Sequence, residues 1–342
     1  MRRPSGPIGD FAAASALVLA AACALASVLA QGGRFNPYLD LPSHFAPFYV
    51  LAAVVAALVA ICIPRRTRGR TLILSAIALA GGAALMAPEF LRSTGTQAAP
   101  GAPGQIKVIQ FNVARTNRDL PRVVDWLVAQ HPDVVTINEA SPAVRDAIVN
   151  RTGWHVSGGM GDLMIFTPEK RLRMDRLGGY EMVLNWVNAT YPGASGPYEV
   201  MTAHLRWPNW PEIAVQEKTL GILIHHLPTD RMILAGDFNS TPWSFTRQRD
   251  DKAFGLIRRD RALASWPTWS PVPFLAIDHI YAGPGWATVK VERGPKLGSD
   301  HYPVVVTLAP RASSPASPRP ASVPQPGASS PPRPSAPVRP AP

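Results

Sequence analysis

Four short polar sequences stand in a fixed order along the chain, and each borders a run of apolar residues. They are Phe111-Asn112, Asn138-Glu139, Gly236-Asp237-Phe238-Asn239 and Ser299-Asp300-His301. A buried strand that ends at a carboxylate or carboxamide places that group at the rim of a sheet, where several such ends can converge on one cation. Oxygen ligands suit a hard ion such as Mg²⁺, and a histidine beside a carboxylate can activate water. The set therefore predicts hydrolysis of phosphate esters at a metal site.

Each fragment taken alone has a simpler explanation. Gly, Asp and Asn all favour turns. Asn239, with the Ser and Thr that follow it, precedes Pro242 and could cap a helix that begins there. Glu139 could be a solvated strand end, and His204 could be a structural strand histidine. The order of the whole set is what favours a functional site. Three other histidines are interpreted as structural: His225, His226 and His279.

On these residues the chain resembles the endonuclease/exonuclease/phosphatase superfamily, the DNase I-like fold, over residues 105–309. The resemblance implies that the metal ligands are Glu139, Asp300 and Asn112. It also implies that the catalytic residues are His301, Asp278, Asp237, Asn239 and His204. In this interpretation Asp278 orients His301, and His301 and Asp237 act on the attacking water. His204 and Asn239 contact the phosphate. The implied cofactor is Mg²⁺, with Mn²⁺ as an alternative.

Residues 161–167 depart from the family pattern. The family often has a strand here that ends in Ser, Lys, Arg or Tyr and touches the substrate, and this segment has no basic or phenolic residue. That substrate contact is therefore unassigned. Two tryptophans near the predicted site, Trp207 and Trp210, are candidates for substrate binding, because exposed tryptophan can stack on a base or lie at a membrane surface. The alternative is that they pack under their loop as apolar anchors.

Strand-like and helix-like segments alternate through residues 95–310, which predicts a layered α/β domain. Seven strands are expected, near residues 106–111, 134–137, 163–166, 200–205, 232–235, 277–281 and 304–308. Helices are expected after Asp119 and over residues 213–227. The family resemblance sharpens this expectation to a four-layer α/β sandwich of two sheets with flanking helices.

The first 94 residues predict a membrane anchor. Three apolar stretches, residues 11–31, 45–63 and 72–91, are each near the length needed to cross a bilayer. A cleaved signal peptide is the alternative for the first stretch, although its apolar run is long for one. Arginines precede the first stretch at positions 2 and 3. Four more, at positions 65, 66, 68 and 70, lie in the connection between the second and third stretches. The positive-inside rule then predicts a multi-pass protein of the cell (inner) membrane with an extracytoplasmic catalytic domain.

The net charge of +11 does not by itself indicate nucleic-acid binding. Residues 95–310 contain 22 Lys and Arg against 20 Asp and Glu, so the surplus lies outside the catalytic domain. The arginines near 115–122 and 258–261 are interpreted as solvated helix faces, although a local basic patch is an alternative. Residues 311–342 are almost wholly Pro, Ala, Ser and Arg, which predicts a disordered tail.

Three functions are consistent with this sequence. The first is a membrane-anchored, metal-dependent phosphodiesterase, with an endonuclease as one version of it. The second is the same chemistry on a lipid or small-molecule phosphate ester, and the third is a non-catalytic scaffold that keeps the fold. The expected partners are a phosphate-ester substrate and the membrane, with no obligate protein partner. The full set of site residues argues against a scaffold, because a scaffold needs none of them.

Overall fold

The computed structural model describes residues 6–62, 65–159, 162–175, 183–209 and 212–311. The predicted tail lies outside these residues from position 312 onward. The α-helices of the described part of the chain are α1 (Pro7–Gln31), α2 (Pro37–Asp40), α3 (Ala46–Cys62), α4 (Arg65–Leu91), α5 (Leu120–Gln130), α6 (Pro142–Thr152), α7 (Ile213–His225) and α8 (Phe245–Ala253). Two short 3-10 helices, Gly32–Arg34 and Leu41–Phe45, flank α2.

Twelve strands within the described residues form two six-stranded sheets. Sheet 1 has the strand order β11 (Trp286–Arg293), β12 (Val304–Pro310), β1 (Ile106–Asn112), β2 (Val134–Asn138), β4 (Met164–Thr167), β3 (His155–Gly158). Sheet 2 has the order β5 (Arg173–Asp175), β6 (Asn185–Tyr191), β7 (Tyr198–His204), β8 (Met232–Asp237), β10 (Asp278–Ala282), β9 (Ile257–Arg258). All seven strands expected from the sequence are present. The five others include all four edge strands.

Each sheet has one parallel pair of strands at its centre, and the polar strand ends lie on these pairs. In sheet 1, β1 runs parallel to β2, and Asn112 is the register partner of Asn138. In sheet 2, β7 runs parallel to β8, and His204 is the partner of Asp237. Because parallel strands end at the same edge of a sheet, each pair presents two polar side chains together.

The two sheets pack face to face, and helices cover their outer faces. The core between the sheets contains Val108, Val134 and Ile165 from sheet 1 and Val200, Ile233 and Ile280 from sheet 2. A second core joins sheet 1 to α5 and α6, and a third joins sheet 2 to α7. Four layers result, so the expectation of a four-layer α/β sandwich is confirmed.

Three N-terminal helical segments are long and apolar enough to cross a membrane: Pro7–Arg34, Pro37–Cys62 and Thr67–Leu91. They pack on one another through small side chains, which allow close approach of helices, and their exposed faces carry large apolar residues. Buried small residues include Ala20, Ala53, Ala56 and Ala78, and exposed apolar ones include Val18, Leu25, Leu51, Leu58 and Ile73.

The arginine-rich segment after the second apolar stretch is helical, whereas the sequence had indicated a connection. Helix α4 begins at Arg65, about two turns before the expected span. The Arg68 guanidinium donates hydrogen bonds to the carbonyl groups of Ala60 and Ile61, at 3.0 and 2.7 Å. Arg68 therefore satisfies two of the free carbonyl groups at the C-terminal end of α3.

The segment between α1 and α3 binds the loop that follows β8. Asp40 accepts hydrogen bonds from the backbone N–H groups of Phe245 (2.9 Å) and Thr246 (2.8 Å), in the first turn of α8. His44 accepts one from the Thr241 N–H (3.1 Å), and the Trp243 indole donates to the His44 carbonyl (3.2 Å). The helices and the sandwich are therefore joined by buried polar contacts.

The interpretation of Arg258 and Arg259 as a solvated helix face is wrong. Both side chains are buried, and Arg258 lies at the end of the short strand β9. The Arg258 guanidinium contacts the buried carboxylate of Glu89, near the end of α4, at 2.7 Å. The Arg259 guanidinium donates to carbonyl groups that include those of Ala282 and Gly283. These arginines join parts of the fold and contribute no basic surface patch.

The helix predicted to be capped by residues 239–241 begins later. Helix α8 starts at Phe245, and the Ser244 side chain caps it by accepting a hydrogen bond from the Arg247 N–H. Asn239 has a positive φ of 49° and belongs to the turn after β8. Its side chain is thereby free of the capping role and points to other partners.

Candidate active site

The parallel pair β1–β2 of sheet 1 and the parallel pair β7–β8 of sheet 2 end side by side, which brings their polar side chains together. The Asn112 amide donates to Glu139 Oε1 at 3.1 Å and to Asp237 Oδ2 at 3.0 Å. The Asp237 N–H donates to Asn138 Oδ1 at 2.9 Å. Residues from the ends of β1, β2 and β8 are therefore joined directly, across the space between the sheets.

Glu139 sits one residue beyond β2 in the left-handed region, with a φ of 55°. Such a conformation costs energy for a residue with a side chain, and it is common at functional sites. The Glu139 carboxylate accepts hydrogen bonds from the Asn112 amide and, at 3.3 Å, from the Arg115 N–H. These contacts hold the carboxylate at the open edge of the sheets.

His301 and Asp278 form a buried pair. His301 Nδ1 lies 2.8 Å from Asp278 Oδ2, and the other ring nitrogen lies 3.7 Å from Asp237 Oδ2. Ser265 Oγ accepts a hydrogen bond from the Asp278 N–H, and Ser299 Oγ accepts one from the His301 N–H. The predicted orientation of His301 by Asp278 therefore has the required geometry.

The electrostatics of this pair follow from burial and neighbouring charge. Burial alone would lower the pKa of His301, but the carboxylates of Asp278, Asp237 and Asp300 outweigh it and raise the pKa to about 10. Burial and the charge of Asp278 raise the pKa of Asp237. Without a bound cation, the His301 imidazole is thus protonated at neutral pH.

Asp162 belongs to the site, although it was not predicted to be a site residue. Its carboxylate lies 3.7 Å from His204 Nδ1 and 2.8 Å from the Arg115 guanidinium. Pairing with His204 and with Arg115 outweighs burial and lowers the pKa of Asp162 to about 2. The substrate contact that the family has in the segment of residues 161–167 was left unassigned from the sequence, and Asp162 belongs to that segment. An acidic residue just before a predicted strand was the available signal.

His204 ends β7 and lies between two carboxylates. Its Nε2 is 3.7 Å from Asp237 Oδ2, and its Nδ1 faces Asp162. Burial lowers the pKa of His204, but these carboxylates together with Glu139 reverse that effect and raise it. Asn239 Nδ2 is 3.5 Å from His204 Nε2 and donates to the Leu205 carbonyl at 2.8 Å. The two residues predicted to contact phosphate are therefore neighbours.

The site opens into a cavity of about 810 Å³. Seven of the residues predicted from the sequence line it: Glu139, His204, Trp207, Asp237, Asn239, Asp300 and His301. Asn112 and Asp278 do not line it and instead contact residues that do. The cavity is lined by both charged groups and apolar side chains, including Leu184 and Val215.

The residues present have the chemistry to hold a divalent cation. Asp237, Asp278 and His301 each offer a ligand atom, and these atoms lie within 4.8 Å of one another. Glu139 and Asp300, the predicted ligands, add two carboxylates to the same cavity. Asn112 is placed as a hydrogen-bond donor between Glu139 and Asp237. This excess of oxygen donors matches the ligand preference of Mg²⁺.

Two aromatic residues form one wall of the cavity. The ring of Trp207 meets that of Trp266 edge to face, with centroids 5.7 Å apart. The Trp266 indole donates a hydrogen bond to Asp300 Oδ2 at 3.0 Å. Trp210, predicted to bind substrate, lies outside the described residues.

Comparison with solved structures supports the fold. A Danio rerio TDP2 structure in complex with a single-strand DNA product is 20% identical, with a TM-score of 0.50 over 60% of this chain and 99% of that chain. An endonuclease/exonuclease/phosphatase from Bacteroides vulgatus is 14% identical, with a TM-score of 0.52 over 60% and 99% of the two chains. Comparison with curated proteins gives no match.

The family assignment comes from the sequence itself. A profile described as "Endonuclease/Exonuclease/phosphatase family" matches residues 109–301, more than half of the chain. That range begins within β1 and ends at His301, so it includes every residue predicted for the site. The chain belongs to the endonuclease/exonuclease/phosphatase family.

Proposed function

We propose that the protein is a membrane-anchored, metal-dependent phosphoesterase that hydrolyses phosphodiester bonds. The observation that carries the proposal is the convergence of carboxylates and two histidines on one cavity, with the groups supplied by strand ends and loops of both sheets. A scaffold would not need buried, unbalanced charge of this kind, which costs stability. Membership of a phosphoesterase family supports the same conclusion.

The proposed ligands of the cation are Glu139 and Asp300, with Asn112 adjoining them, and the proposed ion is Mg²⁺ or Mn²⁺. When bound, the cation neutralises charge on the phosphate oxygens and so favours attack by water. The raised pKa values of His301 and His204 support a high density of negative charge in the cavity. A cation would relieve that density.

The chain's own residues supply the remaining functions. Asp237 orients the attacking water and accepts its proton, because its carboxylate lines the cavity between the two histidines. His301 and His204 each have a ring nitrogen 3.7 Å from Asp237 Oδ2 and are placed to donate hydrogen bonds to the phosphate oxygens. Asn239 donates a hydrogen bond from its amide. Asp278 holds His301 in position.

The anchor is part of the proposal. The three long apolar helices support insertion in the cell (inner) membrane, and the arginines near residues 65–70 support a cytoplasmic location for the loop between α3 and α4. The catalytic domain then lies on the extracytoplasmic side. DNA is one candidate phosphodiester, because the related TDP2 structure from Danio rerio holds a single-strand DNA product.

The experiment uses the full chain purified in detergent micelles with bis(p-nitrophenyl) phosphate as a generic diester. We expect turnover with Mg²⁺ and none with a chelator. Glu139→Gln and His301→Asn should each lower kcat by about 100-fold or more, as loss of one electrostatic group in a preorganised site does. Matched controls are Glu292→Gln and His225→Asn, which change exposed residues outside the cavity.

Two results would contradict the proposal. One is Mg²⁺-independent turnover that survives both site substitutions, because the activity would then arise elsewhere. The other is a folded wild-type protein that neither turns over the diester nor binds Mg²⁺ by calorimetry, which would favour the scaffold. Loss of activity in the control variants would show that the assay reports folding and not chemistry.

A further inference from the structure

The aromatic wall of the cavity continues without a break to a membrane-type helix. Phe48, in the first turn of α3, meets Phe274 edge to face at 4.8 Å between ring centroids. Phe274 contacts Trp266 at 5.9 Å, and Trp266 contacts Trp207 at 5.7 Å. Trp266 also binds Asp300, a proposed metal ligand. One series of contacts therefore joins the proposed metal site to the start of α3.

Exposed apolar side chains of the catalytic domain are concentrated near this wall. Between residues 92 and 311, the described part of the chain has five large exposed ones: Leu172, Trp207, Val215, Trp269 and Val272. Trp207 and Val215 line the cavity, and Trp269 packs beside Trp266 and Phe274. Trp269 is 68% exposed and Val272 71%. Clustered exposure of this kind marks an interaction surface.

The position of this surface is fixed by the contacts of the anchor. Asp40 and His44 hold the loop after β8 beside the 3-10 helix that leads into α3. Phe45 and Phe48, at that end of α3, are themselves partly exposed. Tryptophan is enriched where protein meets the headgroup region of a bilayer, because its ring is apolar and its N–H is polar. Trp269 and Val272 are exposed residues of the segment whose Phe274 contacts the start of α3, so they lie beside a membrane-type helix.

The charge of the domain does not favour nucleic acid. Binding to a phosphate backbone needs clustered Lys and Arg, and residues 95–310 have only 22 of these against 20 acidic residues. Arg258 and Arg259 are buried, which removes two further cations from the surface. The cavity has carboxylates and histidines on one side and the aromatic wall on the other. This arrangement suits a molecule that is charged at one end and apolar at the other.

We infer that the substrate is a phospholipid of the surrounding bilayer, whose phosphodiester headgroup enters the cavity along the aromatic wall beside α3. This inference rests on the proposed function and narrows its substrate. The oxygen of water forms a bond to phosphorus, and the bond from phosphorus to one alcohol oxygen breaks. The water's proton passes to Asp237, and the released alcohol oxygen takes up a proton. The products are a phosphomonoester and an alcohol.

The test compares one headgroup in two physical forms. The full chain is placed in nanodiscs of dioleoyl phosphatidylglycerol and dioleoyl phosphatidylethanolamine, and hydrolysis of these lipids is followed with Mg²⁺. In parallel, detergent-free protein in nanodiscs of a non-hydrolysable ether phosphonolipid receives soluble dihexanoyl phosphatidylglycerol, bis(p-nitrophenyl) phosphate or single-stranded DNA. We expect cleavage of the bilayer lipid to exceed that of the soluble short-chain lipid by about tenfold or more, because burial of apolar chains along the wall aids binding.

Substitutions on the exposed surface sharpen the test. Trp269→Ser with Val272→Ser should lower the ratio of bilayer-lipid hydrolysis to bis(p-nitrophenyl) phosphate hydrolysis about tenfold. Leu172→Ser, at an exposed apolar residue that does not line the cavity, should leave that ratio unchanged. An equal loss on both substrates would overturn the inference, because the surface would then serve folding or chemistry and not lipid access.

The remaining outcomes separate the inference from the proposed function. Hydrolysis of the soluble diester or DNA without hydrolysis of either bilayer lipid would overturn the lipid substrate and leave the phosphoesterase intact. Absence of Mg²⁺-dependent turnover with every substrate would contradict both the lipid substrate and the proposed phosphoesterase function.

A contact measurement tests the geometry without activity. Val272→Cys and Leu172→Cys are made separately with Cys62→Ser, since Cys62 is exposed and Cys23 is buried, and each is labelled with an environment-sensitive fluorophore. Brominated lipids should quench the label at position 272 and not at position 172. Equal quenching at the two positions would contradict membrane contact by this surface.

Discussion

His44, in the 3-10 helix that leads into α3, accepts a hydrogen bond from the backbone N–H of Thr241, two residues after Asn239. The distance is 3.1 Å, and the same ring nitrogen lies 3.0 Å from the Thr241 hydroxyl. Both residues are buried. The membrane-type segment thus contacts the turn that carries two proposed catalytic residues, Asp237 and Asn239.

We expect His44→Ala to lower both stability and activity. The substitution leaves the Thr241 N–H without its acceptor, and an unpaired buried donor costs about 1–3 kcal/mol. The turn at Asn239 should loosen, so kcat should fall more than KM changes. Thermal unfolding in detergent and steady-state kinetics measure the two effects. His44→Asn, which keeps an acceptor, should recover part of each, and His225→Ala should alter neither. A stable His44→Ala protein with full kcat would show that the contact is dispensable.

Removal of the Glu89 carboxylate should destabilise the joint between α4 and the sandwich. Glu89 accepts hydrogen bonds from Arg92, Arg258 and the Ala262 N–H, and its carboxylate is fully buried. Loss of one partner of a buried ion pair costs about 3–5 kcal/mol, because the other charge stays buried without compensation. We therefore expect Glu89→Ala to lower the free energy of unfolding by about that amount in chemical denaturation.

The control for Glu89 is an exposed ion pair. Lys290 and Glu292 lie 2.7 Å apart on β11, and both side chains are about half exposed. Glu292→Ala should cost less than about 1 kcal/mol, since exposed pairs contribute little. If Glu89→Ala and Glu292→Ala lowered the free energy of unfolding by similar amounts, the Glu89 carboxylate would not be compensating the buried charge of Arg258.

The pair of Asp162 and His204 should stabilise the metal-free protein most between about pH 4 and 6.5. The pKa of Asp162 is lowered to about 2, so its contribution is complete above the ordinary value of 3.8 and is lost as the pH falls through 2. The pKa of His204 is raised, so its contribution is complete below 6.5 and is lost as the pH rises through the folded value. The attraction between the two charged groups contributes to both shifts, together with Arg115 for Asp162 and with Asp237 and Glu139 for His204.

Denaturation of Asp162→Asn in the presence of a chelator measures this window. At pH 5.5 the variant should be less stable than the wild type by about 1–3 kcal/mol, because a charged hydrogen-bonding partner is lost. At pH 9 the difference should shrink but persist, since Arg115 still pairs with Asp162. A difference that grows with rising pH would contradict the assignment of charge to His204.

Magnesium should stabilise the folded protein through Glu139. A ligand at about 100 times its Kd raises the free energy of unfolding by about 2.7 kcal/mol if it binds only the folded state. We expect saturating Mg²⁺ to raise the Tm of the wild type and of Glu292→Gln, and to have little effect on Glu139→Gln. An equal rise in all three proteins would place the ion elsewhere.

The amino-acid sequence was sufficient to predict the family and the elements that carry the site. Buried strands such as β1, β2 and β8 are visible as apolar runs that end at Asn112, Glu139 and Asp237, because hydrophobicity and turn chemistry are local properties. The three apolar helices were visible for the same reason. The edge strands were not predicted, since strands exposed on one side carry polar residues and lack a clear pattern.

Contacts between residues that are distant in the chain could not be predicted, because they depend on how the layers pack in three dimensions. Asp162 reaches His204 across the space between two sheets, and Arg258 reaches Glu89 between strand and helix. From the sequence alone such charged residues are expected to be solvated. Whether their side chains are buried depends on how the layers pack and not on neighbours in the chain. The contact of Phe48 with Phe274 likewise arises only when the anchor lies against the sandwich. The chemistry was therefore encoded locally, and its surroundings were set by packing.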